Sequence, residues 1–272
     1  MIEAAPLEAA PARVRGGVWG HLPAPLRPAY VRWLLVVLVL ALLEALVRVG
    51  AIRPTVIPAP TAVGQALADS FRTGEALRAL GRTTAELGIS FGVAAVVGVA
   101  IGLALWRWRV AREVVQPALI TLYAVPLVFF YPVLLALFGI GIGPVLVVAI
   151  LTGIVPVALN TMIGLVELQP VWVKTARAFN ASRRQLYTKV YFPGAAPFFF
   201  AGLRLGITYI SIGVIAMEFI TSDAGLGYMA RYYKEQFQAP KVYAYVTVVF
   251  ALAMVFDAVL RRLADRVQGT TA

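Results

Sequence analysis

Six apolar runs punctuate this chain, at 31–49, 85–106, 116–138, 144–166, 198–220 and 242–261. Each is close to the roughly 20 residues a helix needs to cross a hydrocarbon slab about 30 Å thick. A soluble core does not require such runs. A bilayer does, and it admits helices because they satisfy their own backbone polar groups. The composition agrees, with 61% hydrophobic residues, 14% charged residues and a mean hydropathy of +0.84. The expectation is an all-α polytopic membrane protein with six transmembrane helices surrounded by membrane lipid. Residues 1–30, rich in Ala, Pro and Arg, read as a disordered arm, 31–265 as the transmembrane domain and 266–272 as a short tail. The first run does not read as a cleavable signal, because thirty residues precede it and no A-x-A-like site follows near Gly50.

Several features within the runs carry structural expectations. Pro126 and Pro132 interrupt the third run and Pro156 the fourth, while Gly88, Gly92, Gly98 and Gly102 recur in the second. Small residues of that kind let neighbouring helices approach closely. Between the first two runs, 54–60 reads as extended and 61–80 as one short amphipathic helix with Val63, Leu67, Phe71, Leu77 and Leu80 on its membrane side.

Charge sets the expected orientation. With both termini cytoplasmic, 16 of the 24 Lys and Arg residues fall on the inner side and 8 on the outer, as the positive-inside rule favours. Topology thereby accounts for most of the +11 net charge, and a nucleic-acid partner has no further support. Cysteine is absent and the single histidine, His21, lies in the N-terminal arm, which excludes thiolate and His-cluster metal sites. The four lysines follow Val173, Thr188, Tyr233 and Pro240, so no Gly-Lys phosphate-binding loop exists and the chain is expected to bind no nucleotide or other cofactor itself. No nucleophile–base pair or paired carboxylates stand out, so an enzyme is not expected.

The most patterned polar stretch is KTARAFNASRRQLYTKVYFP, Lys174 to Pro193. Pro170 suits the first turn of a helix, and Trp172, Val173, Ala176 and Phe179 then recur on one face. Asn180 suits a left-handed terminator, and Ser182 with Gln185 has the form of a capping box. A short helix, a sharp turn and a second helix are therefore expected. On physical grounds two readings stand equally: a helix that lies in a groove of a soluble partner, or a connector resting on the membrane face.

The segment resembles the cytoplasmic signature E-A-A-x3-G-x9-I-x-L-P of inner-membrane permease subunits of binding-protein-dependent ABC importers. Lys174, Thr175 and Ala176, then Asn180, then 190–193 keep its spacing, with Lys174, Thr175 and Asn180 replacing the usual Glu, Ala and Gly. The stretches 56–67, 126–141, 176–182, 193–206 and 218–229 are similar to the nitrate/sulfonate/taurine type, so the resemblance covers about 50–265. It implies a type I importer permease fold with a coupling loop at 167–197. It also implies two ATP-binding ABC ATPase subunits carrying ATP and Mg, a periplasmic solute-binding protein, a second permease subunit, and an inner-membrane location. The ATPase-coupling residues it implies are Trp172, Lys174, Thr175, Ala176, Arg177, Phe179, Asn180, Ala181 and Ser182. The solute it points to is small and anionic.

Candidate pathway residues are Tyr123, Pro126, Phe129, Phe130, Asn160, Met217 and Glu218. The aromatics around Pro126 and Pro132 read equally as a gate and as ordinary packing at a kink. Asn160 and Met217 read as cavity-facing, with an interhelical bond as the other reading of Asn160. Charges inside the runs default to function. Glu44, Glu218 and Asp257 would be the ion carriers of the rival class, an ion-coupled secondary transporter. Structural roles are the other reading: Arg204 reaching the inner interface, and Glu218 bracing the loop with Gly225, Leu226 and Gly227.

Overall fold

The structure is a computed structural model and describes residues 28–269, so nearly all of the expected arm at 1–30 lies outside the described residues. Among the described residues the chain forms eleven α-helices. These are α1 (Pro28–Arg48), α2 (Pro60–Arg72), α3 (Glu75–Arg107), α4 (Arg109–Ala124), α5 (Tyr131–Phe138), α6 (Ile142–Val166), α7 (Pro170–Ala178), α8 (Arg183–Leu186), α9 (Phe192–Thr221), α10 (Leu226–Glu235) and α11 (Ala239–Gly269). Five helical segments are long and apolar enough to cross a membrane, and six if the bent pair of α4 and α5 counts as one span.

Two compact units divide between Pro60 and Thr61. In the first, α1 exposes apolar side chains along most of its length, as a helix solvated by lipid does, and Glu44 Oε1 accepts from Arg48 Nε at 2.8 Å. In the second unit α6 is the axis, with α3 and α9 packed on it. The close approach comes from small residues. A Cβ added to Gly102 of α3 would lie 2.6 Å from the Ala158 carbonyl oxygen of α6, and one on Gly202 of α9 would lie 2.7 Å from Asn160 Cβ. Without a hydrophobic force between helices in lipid, such contact packing is what holds them. The core here comprises Leu87, Val145, Val148, Ile207, Ile210, Val214 and Met217.

Several boundaries differ from the sequence expectation. The third run is not one straight helix. Val125 is extended, with ψ 124°, Pro126 caps a 3-10 turn at Leu127–Phe130, and α4 and the following segment meet at 81°. The cause is local, because proline disfavours helical backbone in the residue before it and donates no hydrogen bond. Pro132 produces no kink, since it sits in the first turn of α5. Pro156 does not interrupt α6 either, which continues through it to Val166. Of the four glycines in α3, Gly98 and Gly102 meet α6, whereas Gly88 and Gly92 face open space.

The amphipathic segment 61–80 is two helices. Gly74, at φ +74°, ends one and starts the other, so α3 begins ten residues before its apolar run. Leu67 and Leu80 pack on a second core with Leu226, Tyr233 and Tyr245, while Phe71 and Leu77 are exposed.

Candidate functional site

Two helices and a tight reversal make up the hairpin between α6 and α9. Gln169, extended at ψ 122°, and Pro170 in the first turn launch α7. At its end the Ala181 N–H donates to the Ala176 carbonyl at 3.0 Å, and the Asn180 N–H to that of Arg177 at 2.9 Å. That is the Schellman pattern, and Asn180 takes the left-handed conformation it requires, φ +55°. After Ala181 the capping box closes in both directions. Ser182 N–H donates to Gln185 Oε1 at 2.7 Å, and Gln185 N–H to Ser182 Oγ at 3.3 Å. Each of the two adjacent helix ends thus satisfies its own orphan groups, with Ala181 alone between Asn180 and the N-cap Ser182, which makes the reversal stiff.

The apolar stripe of α7 splits in two. Val173 and Ala176 are half-buried, and the Trp172 ring lies over Gly194, where an added Cβ would meet it at 3.2 Å. Phe179 projects from the tip at 82% exposure. Lys174, Thr175, Arg177, Asn180 and Ser182 are exposed around it, and Ala181 is half-buried.

The second arm is fixed to the bundle by aromatic rings. A π-helical turn at Tyr187–Tyr191 joins α8 to α9, and Trp106 at the end of α3 meets Tyr191 edge-on at 5.1 Å and Tyr187 at 6.1 Å. Such π-turns occur frequently at functional sites. Sequence reasoning missed Trp106. An aromatic at the end of an apolar run was the available signal, but nothing in the sequence pairs it with a loop eighty residues on.

The break between α4 and α5 gathers the aromatic candidates. Phe129 is 78% exposed and Phe130 half-exposed, while the Tyr123 ring lies 4.7 Å from that of Tyr209 on α9. Leu127 is buried and anchors the turn to the core. The other candidates lie elsewhere. Met217 is fully buried in the core of the bundle. Asn160 Nδ2 donates to the Pro156 carbonyl of its own helix at 2.8 Å, and among the described residues Asn160 makes no interhelical bond.

Glu218 is fully buried at the far end of α9. Its Oε1 accepts from Thr83 Oγ1 at 2.7 Å and its Oε2 from the Gly227 N–H at 2.7 Å, the brace on the 225–227 loop that was one of its two readings. Thr83 Oγ1 in turn accepts from the Leu226 N–H at 2.9 Å. Glu86, also buried, accepts from Arg82 Nε at 2.7 Å and lies beside Glu218, while among the described residues its Oε2 has no hydrogen-bond partner. The sequence revealed no paired carboxylates because 132 positions separate these two. Asp257 pairs with Arg204 Nε at 2.7 Å and also with Arg261, so Arg204 is held by α11 rather than reaching out alone.

Residues 94–269 match the family described as "Binding-protein-dependent transport system inner membrane component". The formylaminopyrimidine transport permease protein ThiX of Halalkalibacterium halodurans is 28% identical over 182 residues, 66% of this chain and 72% of that protein. The taurine transport system permease protein TauC of Escherichia coli is 29% identical over 173 residues, 64% of this chain and 63% of that one. The nitrate import permease protein NrtB of a Synechocystis strain is 27% identical over 143 residues, about half of each chain. Among solved structures, inward-facing forms of the MetNI methionine ABC transporter contain a chain that superposes with a TM-score of 0.59 at 18% identity. That superposition covers 68% of this chain and 92% of that one, and shows the shared fold.

Proposed function

Since the chain belongs to the binding-protein-dependent transport system inner membrane components, and is a multi-pass permease subunit of an ABC importer, we propose that its hairpin at 167–197 is where a partner ATPase pushes. ATP and Mg bind on that partner. Closure of two ATPases moves α7, and the bundle converts the movement into alternating access for a small anionic solute delivered by a binding protein on the other side. The termini are cytoplasmic, a second permease subunit completes the pathway, and the bend at Pro126 with Phe129 and Phe130 forms the gate between the two. The solute class is suggested by relatives named for taurine and nitrate transport, beside one named for formylaminopyrimidine.

The observation that carries this reading is the hairpin itself, an exposed Phe179 on a reversal closed by a Schellman motif and a capping box. A lever must be stiff to transmit displacement, and an exposed aromatic on a stiff helix suits a groove in a soluble partner. The Trp106–Tyr191 contact gives the push a route into α3. A switch of this kind works only where nucleotide and loaded binding protein favour one conformation over the other.

The rival ion-coupled mechanism needs free intramembrane carriers. Glu44 bonds Arg48, Asp257 is paired with Arg204, and Glu218 is engaged by Thr83 and Gly227. Purification from cells co-expressing the neighbouring genes is the direct test. The chain should bring down an ATPase, and Phe179→Ala should release it while the chain stays folded. An ATPase that stays bound to the Phe179→Ala chain with full transport-coupled turnover would rule the hairpin out as coupling site.

A further inference from the structure

At the hairpin end of the bundle a cavity of about 480 Å³ is lined by Arg112, Lys174 and Arg177 together with Trp106 and Tyr191. No carboxylate is among its walls, and Glu167, between the lining residues Val166 and Leu168, is exposed. Among the described residues none of the three cations forms an ion pair, whereas the neighbouring Arg109 does, with Glu113 at 2.9 Å. Three cations facing one space repel each other unless an anion enters it.

A second space of about 330 Å³ adjoins the first and differs in character. Leu165 lines both, Phe192 of the second follows Tyr191 of the first in sequence, and Leu103 of the second lies one turn from Trp106 on α3. Its walls are Val99, Leu103, Phe199 and similar apolar groups on α3, α6 and α9. Its polar member is Thr161, whose buried Oγ1 has no hydrogen-bond partner. A basic chamber that shares the Leu165 wall with an apolar groove along membrane-spanning helices has the two-part character of an amphiphile.

The geometry points to a binding site for one phospholipid with an anionic headgroup, its phosphate among Arg112, Lys174 and Arg177 and one acyl chain along the Leu103–Phe199 groove. Basic pockets between membrane helices bind anionic headgroups in this manner. Two of the three cations belong to α7 and the third to α4, so the lipid would link the hairpin to the helix that leads into the bend. A soluble phosphate shares the headgroup chemistry but leaves the groove unfilled. This inference concerns binding and stands whether or not the hairpin couples to an ATPase.

Native mass spectrometry of the purified, delipidated chain with its co-purifying subunits tests it. Phosphatidylglycerol and phosphatidylcholine of identical acyl chains are the probes, with glycerol phosphate as soluble competitor. One phosphatidylglycerol per chain is expected to be retained in preference to phosphatidylcholine. Arg112→Gln should lower that preference about fivefold, the effect of one basic residue near an anionic headgroup, and Arg112→Lys should keep it. Leu103→Trp, which fills the groove and leaves every cation in place, should lower retention of phosphatidylglycerol; it supplies the answer if Arg112→Gln does not fold. Equal retention of the two lipids overturns the site, as does an Arg112→Gln chain with unchanged preference. Displacement by glycerol phosphate as effective as by the lipid would make it a soluble-anion site and overturn it too.

Discussion

Thr83 Oγ1 and Glu218 Oε1 meet at 2.7 Å across 135 residues of sequence, and through them the 225–227 loop is fastened to two membrane-spanning helices. The same carboxyl closes off the space beneath Gly225, where an added Cβ would lie 2.0 Å from Glu218 Oε1 on a backbone with φ +106°. Glu218 therefore requires that position to lack a side chain, and the backbone conformation there favours glycine independently.

Gly225→Ala is expected to cost at least about 3 kcal/mol, from a disfavoured left-side conformation together with overpacking. Glu218→Ala leaves the Thr83 hydroxyl and the Gly227 N–H without their acceptor, a cost of about 2–4 kcal/mol. The double variant should be more stable than the sum of the two predicts, because removing the carboxyl removes the clash. Thermal unfolding of the detergent-solubilised chain measures all three, and strict additivity would mean the contact is not energetic.

Asn180→Gly should stabilise the hairpin slightly, by up to about 1 kcal/mol, since glycine adopts φ +55° without steric cost. Asn180→Val should destabilise it by about 1–2 kcal/mol, because a branched Cβ resists that conformation. Hydrogen exchange over 176–186 is the readout, and equal protection in both variants would show that the Schellman closure does not set local stability.

Phe179→Ala and Arg177→Glu should weaken ATPase binding by about tenfold or more, as loss of an interface hot spot does, with little effect on stability. Phe179 is 82% exposed and makes few contacts within the chain to lose. A fall in melting temperature as large as the fall in affinity would assign the residue a packing role instead.

Because the chain contains no cysteine, a single introduced thiol reports without background. If the bend at Pro126 faces a second copy, Phe129→Cys should form an intermolecular disulfide under mild oxidation, since that needs Cβ atoms within about 4.5 Å. Val96→Cys, on the exposed side of α3, should not. Cross-linking at position 96 and none at 129 would place the interface on another face.

Asp257→Asn should leave uptake ATP-dependent and insensitive to a proton ionophore. The carboxylate is occupied by Arg204 and Arg261, and these partly exposed pairs are screened by solvent, so the expected stability loss is below about 1 kcal/mol. Uptake abolished by the ionophore while ATP remains abundant would instead favour ion coupling.

The sequence determined those features whose causes are local in the chain. Apolar runs of spanning length imposed helices, Pro170 specified where α7 begins, and Asn180, Ser182 and Gln185 specified where α7 ends and α8 begins, because caps and left-handed turns depend on neighbours within four residues. Proline was legible only in part. Pro126 breaks its run, whereas Pro156 sits inside an unbroken α6, and which outcome follows depends on whether surrounding helices hold the segment straight. What the tertiary structure alone decided involves partners distant in sequence: Glu86 beside Glu218, Trp106 against Tyr191, Met217 in the core and Asp257 on Arg204. A periodic pattern gives the face a residue occupies. Its neighbour across that face is set by how closely helices approach, and here that is fixed by the glycines of α3 and α9 against α6.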